Sequence, residues 1–209
     1  KAAAKYELVH TVRTHMGADD GAYRSVYMEE DEAGQVGVTL SKELKVVAAT
    51  LLRTHMVTLG PMVLPAAEIV RFAVGFVASR LGMSGKLRVP DFTTAFQHVC
   101  VHAGGKAVLD KLQESLRLGE RQMEPNRMTL YRFGNTSSST IYYELAYLEA
   151  KGRIKRGDRI WQIGFGSGFK CNSAVWKSLV SVPPKDPRNP WSDFIDKCPI
   201  DVPSIRPLS

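Results

Sequence analysis

The sequence predicts an α/β layered fold, in which strands and helices alternate along the chain. Three segments carry this prediction: residues 98–118 and 131–152 each read as a strand, a turn and a helix, and a third strand lies at 159–163. Of the 209 residues, 44% are apolar and 23% are charged, a composition typical of a chain that buries a core. The same composition excludes a collagen-like, a disulfide-scaffold and a wholly disordered protein.

The first part of the chain predicts a pair of strands and then a helix. Residues 6–12 and 22–29 have strand composition, and the turn-rich segment 17–21 separates them. Residues 31–37 are a polar loop, and residues 42–55 have helix-forming content. This region therefore contributes to both layers of the predicted fold.

The most apolar region runs from residue 56 to residue 83, and we expect a helical insertion at about 56–89. Prolines and charged residues interrupt it well before about 18 consecutive apolar residues accumulate, so we expect no transmembrane segment in this chain. After Pro65, apolar residues fall at helical spacing at Ile69, Ala73, Phe76, Val77 and Leu81. The favoured interpretation is an amphipathic helix that covers a core, and the alternative is a helix that lies on a membrane surface.

The strand at 98–102 ends in a residue capable of acid–base chemistry. Its polar and reactive side chains, His98, Cys100 and His102, share one face, while the two valines between them enter a core. His102 comes last, and in open α/β folds ligands bind at the carboxyl ends of strands. A lone histidine there is more often structural. A zinc site of His98 and His102 is disfavoured, because strand positions four apart are about 13 Å distant.

Asn135 ends the second predicted strand, beside a run of Thr and Ser residues rich in N-cap oxygens. Its amide is either a helix N-cap or a donor to a ligand oxygen. The third strand enters the glycine-rich loop 164–168, which opens no helix and is therefore not a dinucleotide fingerprint. Residues 181–209 contain seven of the eleven prolines, which predicts a tail or a wrapping segment without helices.

Charge and cysteine content restrict the partners and the compartment. The net charge of +7 favours anionic partners such as polyphosphate ligands, nucleic acid or an acidic membrane surface. Nucleic acid is the weakest of these, because the sequence has no zinc-finger, RNP or helix-turn-helix signature. Three cysteines without paired spacing predict a reducing compartment, and the start at Lys1 without Met or a leader suggests a piece of a larger protein.

Seven longer motifs span nearly the whole chain, at residues 5–15, 90–92, 98–105, 132–139, 143–147, 149–152 and 166–176. In these motifs the chain resembles the carboxyl-terminal part of plant 3-ketoacyl-CoA synthases, the condensing enzymes of very-long-chain fatty acid elongation. The resemblance implies a thiolase-like layered fold with a mixed sheet between helices. Residues 1–180 would then be the carboxyl-terminal part of the condensing-enzyme domain.

The resemblance also implies a Cys-His-Asn site for the decarboxylative condensation of malonyl-CoA with a long-chain acyl-CoA. A cysteine takes the acyl group, and His102 and Asn135 serve malonyl-CoA as two neutral donors to an enolate oxygen. His98, Gly166 and Gly168 are candidate supporting residues. The family's nucleophile motif, Gly-x-Cys-Ser, does not occur, so we assign no nucleophile to this chain and expect neither a metal nor a cofactor.

The same resemblance implies the surroundings of the site. The ligands are acyl-CoA and malonyl-CoA, the partner is the missing amino-terminal half of the enzyme, and the assembly is a homodimer. The location is the cytosolic face of the endoplasmic reticulum membrane, with which the enzyme associates through regions absent here. No nucleic-acid partner is expected. Tyr131 stands where the family usually has a histidine, and a phenol does not titrate near neutrality. One alternative stays open: a non-catalytic truncated product that binds CoA or associates with a full-length synthase.

Overall fold

A mixed four-stranded sheet forms the centre of the computed structural model, which describes residues 4–82, 90–184 and 186–201. The strands are β1 (Tyr6–His15), β2 (Val26–Glu30), β3 (Val36–Leu40), β4 (His98–Val101), β5 (Arg159–Gly166) and β6 (Lys170–Ser178). The helices are α1 (Asp20–Tyr23), α2 (Leu44–Val63), α3 (Ala66–Arg80), α4 (Lys106–Leu116), α5 (Glu120–Phe133) and α6 (Thr140–Ala150). Short 3₁₀ turns lie at Phe92–Thr94, Ser137–Ser139 and Ile195–Lys197.

The central sheet has the strand order β1-β6-β5-β4 and combines both strand directions. β4 runs parallel to β5, whereas β6 is antiparallel to both of its neighbours. The chain passes through α4, α5 and α6 between β4 and β5, because a parallel pair needs a crossover connection. β2 and β3 form a separate antiparallel hairpin. This arrangement confirms the predicted α/β layered fold.

The main core is built around Trp161 of β5. Its side chain is fully buried, and Phe92 and Phe96 stack against it with ring centroids 6.1 and 5.2 Å away. Leu109 and Leu112 of α4 belong to the same buried cluster. Because rings and aliphatic side chains of this size fill the space without voids, the core holds β5 and its neighbour β4 in register.

The strand predicted at 131–135 is wrong, because residues 131–133 form the last turn of α5. The helix begins after Gly119, whose backbone N–H donates to Gln122 Oε1 at 3.0 Å, one of the two bonds of a capping box. A start signal eleven or more residues upstream therefore decides the structure of a segment that has β-type composition by itself. β3, β6 and the short helix α1 are likewise absent from the sequence prediction.

Asn126 explains where α5 packs. Its Oδ1 accepts a hydrogen bond from the Val101 N–H at 2.7 Å, and its Nδ2 donates to the Val99 O at 3.3 Å. Among the strands that the structure describes, β4 is the last of the sheet, so these backbone groups have no described strand to pair with. Asn126 is fully buried and satisfies them, which anchors α5 along the free edge of β4.

α2 extends beyond the helix predicted at 42–55 and includes the first part of the insertion predicted at 56–89. By length and composition, its segment Val46–Val63 is the one described helix that could cross a membrane, and 33% of that segment is buried in the fold. A single helix of this kind is also typical of a soluble core. The absence of a transmembrane segment therefore stays a prediction, and residues 83–89 lie outside the described ranges.

A buried polar chain fastens α2 to the sheet. His55 is fully buried, and its Nδ1 lies 2.9 Å from Thr14 Oγ1 while its Nε2 lies 2.6 Å from Ser173 Oγ. The Trp161 Nε1 also donates to Ser173 Oγ at 2.8 Å. One histidine thus connects α2 to β1 and β6, and every polar atom of its ring is satisfied.

The interpretation of α3 as a helix that covers a core is wrong. Its apolar stripe faces away from the protein, since Val77 and Leu81 are 55% and 67% exposed. Its acidic residue, Glu68, is instead buried against the fold. The helix itself is present at the predicted place. The apolar stripe of an amphipathic helix normally faces the core, whereas this one faces outward.

The proline-rich segment after β6 wraps onto α5 and α6. Trp191 is fully buried, its ring lies edge-on to Phe133 and Tyr147, and its Nε1 donates to the Tyr143 O at 2.8 Å. The only regular element described in this segment is the 3₁₀ turn Ile195–Lys197. Residues 202–209 lie outside the described ranges, and the domain boundary at residue 181 stays a prediction.

Candidate active site

His102 follows directly after β4 and is held by two hydrogen bonds to β5. Its backbone N–H donates to the Ile163 O at 2.9 Å, which continues the pairing of the two parallel strands. Its Nδ1 lies 3.0 Å from the Phe165 O. A carbonyl oxygen only accepts, so Nδ1 carries a hydrogen and the end of β5 fixes the orientation of the ring.

Asn135 reaches the same place from the loop between α5 and α6. Gly134, with a φ of 70°, ends α5 and redirects the chain. The Ser137 N–H donates to Asn135 Oδ1 at 2.9 Å, and Asn135 Nδ2 donates to the Gly104 O at 3.2 Å. One donor and one acceptor therefore determine which end of the amide is which. The bond from Ser137 two residues on is an Asx turn, and the N-cap of the following 3₁₀ turn is Thr136, so the N-cap interpretation of Asn135 is wrong.

The two side chains meet, with His102 Nε2 and Asn135 Oδ1 3.4 Å apart. Their predicted convergence is confirmed, while their catalytic roles stay a prediction. Both neighbours of the ring, Phe165 O and Asn135 Oδ1, are acceptors, so the ring donates to both only when both nitrogens carry hydrogen. A neutral ring with its hydrogen on Nδ1 has none on Nε2. The expected neutral donor at Nε2 therefore does not fit this geometry.

The glycine-rich loop follows β5 beside the residue that orients His102. Gly168 has a φ of 110°, and a Cβ there would lie 2.9 Å from His15 Nε2. A side chain at this position would thus be strained by both its backbone and its neighbour. At Gly166 a Cβ would meet Lys170 Cε at 2.9 Å, the far part of a flexible side chain that can move away. The two glycines are therefore unequal: Gly168 is required by geometry and Gly166 is not.

The structure does not bring His98 to this site. His98 is the first residue of β4, at the opposite end of the strand from His102, and its Nε2 lies 2.9 Å from Asp158 Oδ2. Burial lowers the pKa of His98 below its usual value, and the hydrogen bond to Asp158 opposes this effect. His98 lines a separate cavity of about 330 Å³ together with Arg121 and Arg153. No described contact joins His98 to the His102–Asn135 pair, so the structure gives no support for a supporting role of His98 there.

The three cysteines are free and buried. Burial raises the pKa of the Cys100 thiol well above its usual value, and the charge of Glu144 adds to the effect. Burial likewise raises the pKa of Cys171 to about 12, and it raises the pKa of Cys198. A thiol in such surroundings is inert, because the reactive form is the thiolate.

Several groups at the site carry no signal in the sequence. The carbonyls of Gly104 and Phe165 and the N–H of Ser137 orient the pair, and backbone groups are the same for every residue type. Glu144 of α6 is fully buried near the same strand, and burial raises the pKa of its carboxyl well above the usual range, with the Val101 N–H opposing. An acid placed between apolar and aromatic residues in the middle of a helix is the pattern that could have revealed Glu144.

Comparisons with known proteins support the fold. Residues 1–81 match the family model "FAE1/Type III polyketide synthase-like protein", and residues 93–178 match "3-Oxoacyl-[acyl-carrier-protein (ACP)] synthase III C terminal". The crystal structure of PKS-I from the brown alga Ectocarpus siliculosus superposes with a TM-score of 0.55 at 17% identity, over 83% of this chain and 40% of that one. The fold is therefore that of the thiolase-like condensing enzymes.

Individual relatives narrow the class to one family. 3-Ketoacyl-CoA synthase 11 of Arabidopsis thaliana is 59% identical over 206 residues, which are 98% of this chain and 40% of that protein. Probable 3-ketoacyl-CoA synthase 20 of Oryza sativa subsp. japonica is 57% identical over 209 residues, with the same two coverages. The chain therefore belongs to the plant 3-ketoacyl-CoA synthases, an acyltransferase family, and it spans about 40% of the length of these relatives as their carboxyl-terminal part.

Proposed function

We propose that the chain is the carboxyl-terminal part of a very-long-chain 3-oxoacyl-CoA synthase, which condenses malonyl-CoA with a long acyl-CoA and releases CO₂ and CoA. His102 and Asn135 handle the malonyl half of this reaction. The observation that carries the proposal is the 3.4 Å approach of His102 Nε2 to Asn135 Oδ1 at the carboxyl end of β4. Substrate oxygens are expected at this end of a parallel strand pair.

The role of the pair follows from the charge that the reaction creates. When malonyl-CoA loses CO₂, the electron pair of the broken bond moves to the thioester oxygen and forms an enolate, whose carbon then attacks the acyl thioester. A donor fixed beside that oxygen stabilises the charge without reorganising. The Phe165 O holds His102 Nδ1, so Nε2 is the ring nitrogen left to donate to the enolate oxygen when it carries a hydrogen.

Asn135 supplies the second donor. One hydrogen of its Nδ2 group is used by the Gly104 O, and the other is available to a ligand because an amide nitrogen carries two. The bond from the Ser137 N–H holds the amide in this orientation before substrate arrives. Both donors are thus positioned by backbone groups, which keeps the site rigid.

The acyl-carrying thiolate belongs, in this proposal, to the amino-terminal part of the complete enzyme. Burial raises the pKa of all three thiols here, so none is an activated nucleophile. We further propose that no cofactor or metal takes part beyond the two CoA substrates, whose phosphates match the net charge of +7. The complete enzyme would be a homodimer at the cytosolic face of the endoplasmic reticulum membrane.

The test separates the two half-reactions in the complete synthase. His102→Ala and Asn135→Ala should each lower the release of labelled CO₂ from malonyl-CoA by about 10²- to 10³-fold, the cost typical of one lost oxyanion donor. Both variants should still form the covalent acyl-enzyme from labelled acyl-CoA. His10→Ala on β1 and Asn172→Ala on β6 remove the same side chains elsewhere in the sheet and should leave both steps unchanged. Unchanged CO₂ release in the site variants would contradict the assignment.

A further inference from the structure

α3 exposes a continuous apolar face to the outside of the protein. At 100° per residue its exposed large apolar side chains fall within one arc of about 160° around the helix axis. Their exposed fractions are 37% for Ile69, 60% for Val70, 64% for Val74, 44% for Phe76, 55% for Val77 and 67% for Leu81. Side chains of this kind normally lie against a core, so a contiguous exposed stripe marks an interaction surface.

Hydrogen bonds on the inner side fix this orientation. Glu68 is 5% exposed, and its Oε1 accepts from Arg71 Nη1 at 2.8 Å. Its Oε2 accepts from the Asp91 N–H at 3.2 Å, which ties the start of α3 to the segment that leads into β4. Rotating α3 to bury the stripe would expose these bonds to competition from water and place the carboxylate outside. The outward direction of the apolar face is therefore built into the contacts.

The surroundings of the stripe are cationic. Arg80, the last residue of α3, lies over the Phe76 ring with Cζ 5.4 Å from the centroid, so its guanidinium stands against the stripe at the carboxyl end of the helix. The described residues 66–82, which contain α3, carry two basic residues, Arg71 and Arg80, and one acid, a net charge of 2 − 1 = +1. That one acid is Glu68, which is buried and paired. The exposed side of α3 thus combines an apolar face with positive charge alone.

We propose that α3 lies in the plane of an anionic phospholipid surface, with its apolar face among the acyl chains and Arg80 at the level of the headgroups. Interfacial helices have this combination of a wide apolar face and basic residues. Charge favours this occupant over a second copy of the chain, because two such faces would bring like charges together. The proposal does not depend on the condensation reaction.

The first measurement uses the chain with Val74→Cys and an environment-sensitive fluorophore on that thiol. The three native cysteines are buried, so labelling is selective. Vesicles of equal parts phosphatidylcholine and phosphatidylserine should float the protein, shift the emission to the blue, and quench it when the acyl chains are brominated. Absence of flotation or of quenching would overturn the proposal.

Matched variants separate burial from charge. Val74→Asp with Val77→Asp should weaken vesicle binding by more than about a hundredfold, because burying each valine is worth about tenfold or more in an equilibrium constant. Val36→Asp with Val38→Asp adds the same two charges at side chains that are 67% and 60% exposed on the β2–β3 hairpin. This control should lose only the electrostatic part of the binding. Equal losses in the two double variants would overturn the proposal.

The remaining arms test the headgroup and the other occupants. Arg80→Gln should weaken binding by about fivefold on anionic vesicles and not on pure phosphatidylcholine. A chain that is dimeric without lipid and becomes monomeric on Val74→Asp would assign the face to a second copy. If the fluorophore of the Val74→Cys variant, placed in the complete synthase, is blue-shifted but not quenched by brominated lipid, the face belongs to the amino-terminal part. Either result would overturn the assignment of this face to a lipid surface.

Discussion

His55 should make the stability of this protein depend on pH. The ring is fully buried between α2 and the sheet, and burial lowers its pKa from an ordinary value of about 6.5 to about 4. The folded state therefore resists protonation, whereas the unfolded chain takes up a proton at about pH 6.5. The stabilisation present above pH 6.5 is lost as the pH falls towards 4. The two pKa values differ by about 2.5, and a difference of one corresponds to about 1.36 kcal/mol, so the full loss is about 3.4 kcal/mol. About 2 kcal/mol of this loss is reached by pH 5.

The measurement compares urea unfolding of the wild type and His55→Gln between pH 8 and pH 5. The variant loses part of the bonds to Thr14 and Ser173 and is less stable at pH 8, but it has no imidazole to protonate. The difference in unfolding free energy between the two proteins should shrink by about 2 kcal/mol on going to pH 5. Other titrating groups, including Glu144, are common to both proteins and cancel in this difference.

His10→Gln provides the control, because His10 lies on β1 outside the buried polar chain. Its difference from the wild type measures the effect of removing an imidazole from outside that chain, and the result for His55→Gln is compared with it. If the profiles of the wild type and His55→Gln are parallel, the ring of His55 is protonated in the folded state, and the argument from burial fails.

Three further predictions concern buried or strained groups. Glu144→Leu should stabilise the protein at pH 8, because burial raises the pKa of this acid. The gain in the free energy of urea unfolding should vanish as the pH approaches 4.5, and an equal gain at pH 5 and pH 8 would contradict this. Gly168→Val should abolish condensation by the complete synthase, because a Cβ would lie 2.9 Å from His15 Nε2. Gly164→Val should retain activity, because no atom lies within 4 Å of the added Cβ. The isolated chain should form no thioester with radiolabelled acyl-CoA; labelling that disappears in Cys100→Ser would place a nucleophile in this chain.

The sequence predicts those elements whose pattern is set by their own residues. The strand predicted at 98–102 is present as β4, although its two faces are both buried, with Val99 and Val101 in one cluster and Cys100 in another. The helix predicted at 106–118 repeats its leucines at helical spacing. In both, local preference and tertiary packing agree. The strand at 159–163 is also correct, although the structure extends it to Gly166.

Prediction fails where a distant partner decides the outcome. Residues 131–133 have β-type composition, but Asn126 fastens α5 to the edge of β4 and the helix continues through them. The outward direction of α3 is set by Glu68, whose partners include a backbone N–H at Asp91. Periodicity shows that a helix has an apolar stripe, but it does not show which side faces the protein.

The position of Asn135 follows from the way α5 is anchored. Asn126 holds α5 against Val99 and Val101, and the helix then rises about 1.5 Å per residue for its last seven residues, roughly 10 Å. The helix ends at Phe133, and the turn at Gly134 brings Asn135 within 3.4 Å of His102. An asparagine on a neighbouring strand is therefore not needed for the pair to form. Asn126 and Asn135 are nine residues apart and have different partners. Asn126 pairs with the backbone of β4, and Asn135 lies beside His102.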